Sequence, residues 1–296
     1  MKTLYLDCFS GISGDMMIGA LIDVGGDPSF LVEELKKLKI DEEYELQWKK
    51  VVKNGITSTK FDVILKDQHE HGHGHDHVHH HEHGHTHEHG HTHEHGHTHG
   101  HGHTHEHGHT HEHDHHHEHG HHHGHDHHHR TYKDIVKLIE SAGLSSEVTE
   151  TALNVFRKIG EAEGHIHGLP LDNVHFHEVG AVDSIIDIIG TAILLHQLGI
   201  KKVKSSSIPV GTGRIHIDHG IYPVPAPATL EMLKGVPIEQ SNVRFELTTP
   251  TGAAIVSVLS EEFCTLPSME IKAVGYGAGT KTFKDRPNVL RVVIGE

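Results

Sequence analysis

The chain has 296 residues and a formal net charge of −16 when its 42 histidines are counted as neutral. This acidic balance argues against nucleic acid and anionic membranes as partners. No window reaches the roughly 18 apolar residues that a membrane-spanning helix needs, and the amino terminus lacks the apolar core of a signal peptide. The two cysteines, Cys8 and Cys264, are too few for a disulfide framework, so we expect a cytoplasmic protein.

The first third of the chain begins with a predicted strand, a glycine-rich loop and a helix. Asp27 and Pro28 supply a helix N-cap and a first-turn proline. Asn54-Gly55 is the preferred dipeptide of a two-residue hairpin loop. The predicted elements are strands near 4–8, 45–53 and 56–66 and helices near 16–24 and 28–38.

A histidine-rich tract, residues 69–129, interrupts this pattern. It holds 35 of the 42 histidines, and the rest is glycine, acidic residues, threonine and one valine. With almost nothing apolar to bury, the tract cannot offset the entropy of ordering itself. We therefore predict a disordered, metal-binding insertion.

The tract repeats His-Thr-His-Glu-His-Gly, which places an imidazole at nearly every second position. Neutral imidazole suits Zn, Ni and Cu(II), and binding should weaken below about pH 6.5, where imidazole gains a proton. The alternative is a solubilising linker that binds metal incidentally. The candidate metal ligands in the tract include His71, His73, His75, His85, His87, His89, His91, His93 and His95.

The remaining sequence predicts a mixture of helices and strands. Helices are expected near 132–142, 146–163, 178–198 and 227–234, and strands near 203–210, 243–248, 270–275 and 288–294. The fold class is therefore α/β or α+β, a mixed sheet with helices. The expected organisation is an N-terminal part at 1–68, the insertion at 69–129 and the remainder of the same domain at 130–296.

Two His-x-His units and a group of carboxylates outside the tract form a second candidate metal site. In an extended segment each unit would point both rings to one face. Two of the aspartates are four residues apart and would share one face of a helix. The alternatives are an acid/base pair, or helix capping and salt bridges. The candidate residues are His165, His167, His175, His177, Glu178, Asp183 and Asp187.

Two loops are candidates for binding an anion, because each directs backbone N–H groups and hydroxyls toward a helix N-terminus. Neither loop is a GxxxxGK[ST] phosphate loop, and a tight turn is the alternative for each. The candidate substrate or phosphate ligands are Asp7, Ser10, Gly11, Ser13, Gly14 and Asp15 in the first loop, and Thr248, Thr249, Thr251 and Gly252 in the second.

Three segments, residues 6–16, 175–187 and 246–253, together resemble the nickel-insertion proteins of nickel-pincer cofactor biosynthesis, as does the histidine-rich insertion. The resemblance covers essentially the whole chain. It implies a lyase of the chelatase or cyclometallase type that inserts Ni²⁺ into pyridinium-3,5-bisthiocarboxylic acid mononucleotide, giving the cofactor of lactate racemase and its relatives. It also implies CTP hydrolysis with Mn²⁺ or Mg²⁺, largely in a region beyond residue 296, so a separate C-terminal chain is an expected partner.

Two other functions stay open at this point. A nickel storage or buffer protein would need only the tract, whereas the motifs outside it suggest a shaped site. A metallochaperone would instead dock on a protein client and would need no small-molecule precursor. The resemblance implies a small-molecule cofactor precursor as the partner.

Overall fold

The computed structural model describes residues 1–66, 130–176, 181–217 and 220–296. The predicted tract and its ligands fall outside these ranges. The helices are α1 Gly14–Asp23, α2 Pro28–Leu35, α3 Tyr132–Ser141, α4 Ser146–His167, α5 Val182–Gln197, α6 Pro227–Met232 and α7 Pro250–Leu259. The strands are β1 Thr3–Asp7, β2 Tyr44–Lys53, β3 Ile56–Leu65, β4 Lys202–Ser205, β5 Ile208–Pro209, β6 Arg214–Ile217, β7 Gly220–Pro223, β8 Ile238–Glu239, β9 Glu262–Phe263, β10 Ile271–Ala278 and β11 Val289–Gly295.

A seven-stranded mixed sheet organises these elements, with strand order β2-β3-β10-β11-β1-β4-β9. β1 pairs with β11 in antiparallel and with β4 in parallel orientation, and β10 pairs in parallel with β3. The predicted mixed sheet with helices is therefore confirmed. Strands from both sides of the tract share this sheet, while the proposed boundaries at 69 and 129 lie outside the described residues and stay a prediction.

Glycines let helix α1 lie unusually close to the sheet. A Cβ added at Gly277 in β10 would lie 1.8 Å from the Met16 carbonyl oxygen of α1, and one at Gly275 would lie 2.6 Å from the Ala20 oxygen. The apolar face of α1, including Met17 and Leu21, is fully buried in the core. Helix α1 is consequently fixed against β10.

Most predicted elements agree with the structure, and three expectations are wrong. Residues 243–248 form no strand beyond an isolated bridge between Gly211 and Glu246. The run at 203–210 is divided into β4 and β5. The segment containing His165 and His167 is the last turn of α4 rather than extended chain, because the helical pattern runs four residues further than expected.

The β6–β7 pair was not foreseen in the sequence. Across the part of the chain that the structure describes, no helix is both long enough and apolar enough to cross a membrane.

The close packing of α1 on β10 is testable with Gly277→Ala. The added methyl group would meet backbone atoms that cannot rotate away, so we expect a loss of about 1–3 kcal/mol in the free energy of unfolding. Urea unfolding followed by circular dichroism measures it. Val52→Ala, at a position that is 67% exposed on β2, is the control and should change stability by less than about 0.5 kcal/mol. Equal stabilities of the two variants would contradict the packing argument.

Candidate functional site

A cleft of about 350 Å³ lies where the N-terminal ends of three helices meet. The first turns of α1, α5 and α7 border it, and β3 closes one side. Helix N-termini present unpaired backbone N–H groups and a partial positive charge. The lining residues are Ser13, Gly14, Asp15, Lys60, Phe61, Asp62, Val63, Asp183, Ser184, Asp187, Thr249, Pro250, Thr251 and Thr280.

The two candidate anion loops are joined directly by backbone contacts. The Thr249 N–H donates to the Ile12 carbonyl oxygen at 3.1 Å. A Cβ added at Gly252 would lie 2.1 Å from the same oxygen, so only glycine fits there without a shift. Thr249 also caps α7, since its side chain accepts a hydrogen bond from the Gly252 N–H at 3.2 Å. The first turns of α1 and α7 are thereby held side by side.

Asp187 of α5 lies against the first residue of α1. A Cβ at Gly14 would lie 2.4 Å from Asp187 Oδ2, so the carboxylate occupies the space that a side chain would fill. The Asp187 Oδ1 atom is buried and has no hydrogen-bond partner among the described residues. Asp183, one turn earlier, receives the Ser184 N–H on Oδ1 at 2.8 Å.

Lys60 of β3 pairs with the other two carboxylates of the cleft, Asp15 and Asp62. Its Nζ lies 2.6 Å from Asp15 Oδ2 and 2.8 Å from Asp62 Oδ1, and it donates to the Phe61 carbonyl oxygen at 2.8 Å. The other Asp15 oxygen accepts a short hydrogen bond from the Ser13 hydroxyl. Although burial lowers the pKa of Lys60, its ion pairs with Asp15 and Asp62 raise that pKa overall.

The surroundings of the two α5 carboxylates disfavour their charged forms. Burial raises the pKa of Asp187 well above its usual value, and the charges of Asp15 and Asp183 raise it further. Burial, together with the charge of Asp15, also raises the pKa of Asp183. A bound cation or proton would relieve this repulsion.

The structure divides the ten candidate anion ligands into two groups. Five of them line the cleft, namely Ser13, Gly14, Asp15, Thr249 and Thr251. The other five are engaged in the loops that support it: Asp7 pairs with Arg291, Ser10 donates to the Pro287 oxygen, Gly11 abuts Leu247, Thr248 donates to the Pro209 oxygen and Gly252 abuts Ile12.

The described histidines of the second candidate metal site have different neighbours. His165 and His167 lie two residues apart in α4, which is a rotation of roughly 200°. His165 lies 4.0 Å from Glu231, while His167 lies 3.3 Å from Glu163. The exposed His175 forms an isolated bridge with Thr131.

Asp183 and Asp187 do share a helix face, as their spacing predicts, and both line the cleft. His177 and Glu178 lie outside the described residues, as do the tract ligands His71, His73, His75, His85, His87, His89, His91, His93 and His95. Within the described ranges, no group of three or more His, Cys, Asp or Glu side chains is arranged to hold a metal ion.

Lys60, Asp62 and Thr280 are cleft residues that sequence analysis missed. The only local signal for this part of the cleft is a lysine in a predicted strand. Its sequence neighbours, Thr59 and Phe61, are buried in the structure. A lysine that is buried almost always has a charged partner, but the partner Asp15 is 45 residues away in sequence.

Replacing Asp187 by asparagine should stabilise the metal-free protein at neutral pH. Because folding raises the pKa of Asp187, the ionised carboxylate opposes folding once the pH exceeds the unfolded value of 3.8, and the penalty grows up to the folded pKa. In Asp187→Asn we expect a gain on the order of 1 kcal/mol, or about 2–4 °C in Tm, at pH 7.5 in EDTA.

The gain in Tm should shrink as the pH is lowered toward 4, because the wild-type carboxyl group then gains its proton. Thermal melts of both proteins between pH 4 and 8 measure this. The exposed Asp41→Asn variant is the matched control, with a Tm shift that does not vary with pH. A destabilised Asp187→Asn at pH 7.5 would refute the account.

Removing the Lys60 ammonium should have the opposite effect on stability. Lys60→Met keeps the length of the side chain but leaves Asp15 beside other carboxylates without the ammonium that pairs with it. We therefore expect the free energy of unfolding, measured by chemical denaturation at pH 7.5, to fall by about 3 kcal/mol. Lys36→Met is the control, since its ion pair with Glu33 is exposed to solvent and contributes little to stability. A similar small loss in both variants would show that Lys60 is not needed to hold Asp15.

The chain is similar to known proteins over essentially its whole length. The chain is 49% identical over its whole length to the pyridinium-3,5-bisthiocarboxylic acid mononucleotide nickel insertion protein of Geobacillus kaustophilus, covering 60% of that protein. Proteins of the same name from Clostridium kluyveri and Staphylococcus epidermidis are 44% and 41% identical, with 62% and 59% of their lengths covered.

The chain therefore spans about 60% of the length of the curated relatives that it matches. No solved structure matches the chain significantly. The family model described as nickel insertion protein matches residues 4–296. On this match and these identities, the chain belongs to the nickel insertion protein family.

Proposed function

We propose that this chain inserts nickel into pyridinium-3,5-bisthiocarboxylic acid mononucleotide, as its relatives are named for doing, and that the precursor binds in the cleft. The observation that carries the proposal is the meeting of three helix N-termini with four carboxylates and a lysine in one cleft. Such a site can attract a phosphate group and a metal cation at the same time. The reaction is of the chelatase or cyclometallase type.

The phosphate end of the precursor fits the side of the cleft formed by α1 and α7. Ser13 and Gly14 lie at the start of α1, and Thr249 and Thr251 lie at the start of α7, so the N-termini of both helices face one small space. Helix N-termini are common phosphate-binding sites for this reason. The roles of these residues as phosphate ligands are part of the proposal.

The metal side of the cleft is formed by α5. Asp183 and Asp187 are proposed as metal ligands, with His177 and Glu178 immediately before α5 as further candidates. The imidazoles of the tract gather Ni²⁺ in this proposal and exchange it readily, because many similar ligands compete for each ion. His165, His167 and His175 are described at separate positions and are proposed only as transient ligands.

CTP with Mn²⁺ or Mg²⁺ is a finer part of the proposal. The cleft residues fit a phosphate group with a divalent cation, which is the form in which a nucleoside triphosphate usually binds. The part of the relatives that lies beyond the matched length is the proposed second partner. A plain nickel buffer explains the imidazoles but gives no reason for the cleft.

The test is activation of apo lactate racemase by the purified chain with Ni²⁺, the mononucleotide precursor, CTP and Mg²⁺. It is run with and without a separate chain that carries the remaining 40% or so of a full-length relative. We expect activation in at least one arm. In Asp183→Asn/Asp187→Asn it should fall by about 10–100-fold, and in Asp41→Asn it should not change.

Omitting CTP separates nucleotide dependence from nickel insertion. Loss of activation without CTP supports nucleotide dependence. Silence in both arms, with nickel still bound to the chain, would refute insertion and favour the storage function. Full activity in the double variant would refute the metal role of the α5 carboxylates alone.

A further inference from the structure

We propose that two copies of this chain associate through strand β2, which pairs edge to edge with β2 of the second copy and joins the two seven-stranded sheets. The pairing is antiparallel and two-fold symmetric, with Gln47 opposite Gln47 of the second copy. None of the residues lining the cleft belongs to β2, and the inference does not rest on the proposed function.

The first observation is a long strand at the edge of the sheet. β2 lies at one edge, with β3 as its neighbour, and has ten residues, whereas β9 at the opposite edge has two. The edge of a strand presents backbone N–H and C=O groups that can pair with a strand of another chain. β2 is therefore the edge at which a further strand can add to this sheet.

The β2–β3 hairpin determines which backbone groups of β2 face this edge. Lys53 and Ile56 flank the two-residue loop and form a hydrogen-bonded pair, from which bonded and non-bonded pairs alternate along the hairpin. The Lys66 N–H donates to the Glu43 oxygen at 2.9 Å, as this alternation requires. The even-numbered residues of β2 consequently direct their N–H and C=O groups away from β3. No backbone hydrogen bond joins them to another element of the described ranges. They are Tyr44, Leu46, Trp48, Lys50 and Val52.

The second observation is the charge pattern along β2. Glu45 lies in the first half of the strand, and Lys49 lies in the second half on the same face. Both side chains are exposed, and neither forms an ion pair with another residue that the structure describes. An antiparallel pair of identical strands brings the acidic half of one copy beside the basic half of the other. A parallel, in-register pair would place like charges together, which is unfavourable.

One register places these charges directly opposite each other. With Gln47 opposite its symmetry mate, Glu45 of each copy faces Lys49 of the other, which gives two Glu–Lys pairs on one face. They are non-hydrogen-bonded pairs, in which opposite side chains approach most closely. Centring the interface on Trp48 instead would put Glu45 opposite Val51 and leave both charges unpaired. The charge pattern therefore selects the register centred on Gln47.

The third observation is an apolar surface on the other face of β2. Trp48 is 40% exposed, although tryptophan is among the residues that gain most from burial at an interface. In the register centred on Gln47, Trp48 of each copy lies opposite Leu46 of the other, beside a surface cavity. This cavity has a volume of about 370 Å³ and is lined by Val32, Lys36, Asp41, Tyr44, Leu46 and Trp48. Charge pairs on one face and Leu–Trp contacts on the other thus support the same register.

Disulfide cross-linking tests the register directly. Opposite residues of a non-hydrogen-bonded pair have a Cα separation of about 4.5 Å, which permits a disulfide. Gln47→Cys, in a Cys264→Ser background, should form a covalent dimer when the full chain is oxidised with diamide. EDTA is present to remove metal that could link the histidine-rich tracts of two chains. Val51→Cys is the control on the same face, because in this register it lies about 26 Å from its counterpart along the strand.

Sedimentation of the full chain in EDTA tests the charge pairs. We expect a concentration-dependent dimer that Glu45→Lys weakens by about 10-fold, because it replaces two attractive pairs by two repulsive ones. Adding Lys49→Glu to the same chain restores opposite charges and should recover the association. Trp48→Ala should weaken the dimer, whereas Val52→Ala, beyond the paired residues, should not. Glu161→Lys, an exposed charge change on α4, is the matched control and should dimerise as wild type does.

A wild-type chain that stays monomeric would overturn the interface. So would a dimer that Glu45→Lys does not weaken, because that dimer would use another surface. Failure of the double variant to recover association, or cross-linking through Val51→Cys as readily as through Gln47→Cys, would overturn the register. Circular dichroism of each variant distinguishes a lost interface from a lost fold. Neither nickel nor precursor is present, so failed nickel insertion would leave this interface standing.

Discussion

The contact between Asp187 and Gly14 is the constraint on which the cleft depends. Helix α1 cannot move away from the sheet without losing the close packing that Gly275 and Gly277 permit. Because α1 is fixed and Gly14 has no side chain, α5 can bring a carboxylate against the first turn of α1. The contact at Gly252 brings α7 to the same place. Three helix N-termini therefore meet because glycine occurs at each close approach.

The charge balance of the cleft follows from this geometry. Helix N-termini offset part of the negative charge of the carboxylates, each by about 0.3–1 kcal/mol at an exposed position. Lys60 neutralises one charge but lies between Asp15 and Asp62, two acids. Asp183 and Asp187 leave the α5 side of the cleft acidic, while the N-termini of α1 and α7 face the same space. A cation paired with an anion satisfies both sides, whereas either ion alone satisfies one.

Much of the fold could be predicted from sequence because its signals are local. The Asn54-Gly55 hairpin and the i, i+4 spacing of Asp183 and Asp187 both appear in the structure. The long-range pairings were not predictable in this way. Lys60 meets Asp15 only because β3 lies beside β10 and under α1. The prediction for His165 and His167 was wrong because α4 continues past the expected end of the helix, to its left-handed cap at Gly168.

The described residues that line the cleft offer oxygen donors and no imidazole, which suits transfer of nickel better than a single strong site would. In the proposed function, nickel leaves exchangeable imidazoles and ends bound to the sulfur atoms of the precursor. A cleft lined by imidazoles or thiolates would compete with those sulfur atoms for the ion. Oxygen donors such as those of the described cleft lining compete less for nickel. In the proposed function, the cleft therefore fixes the acceptor in position without retaining the metal that the acceptor must receive.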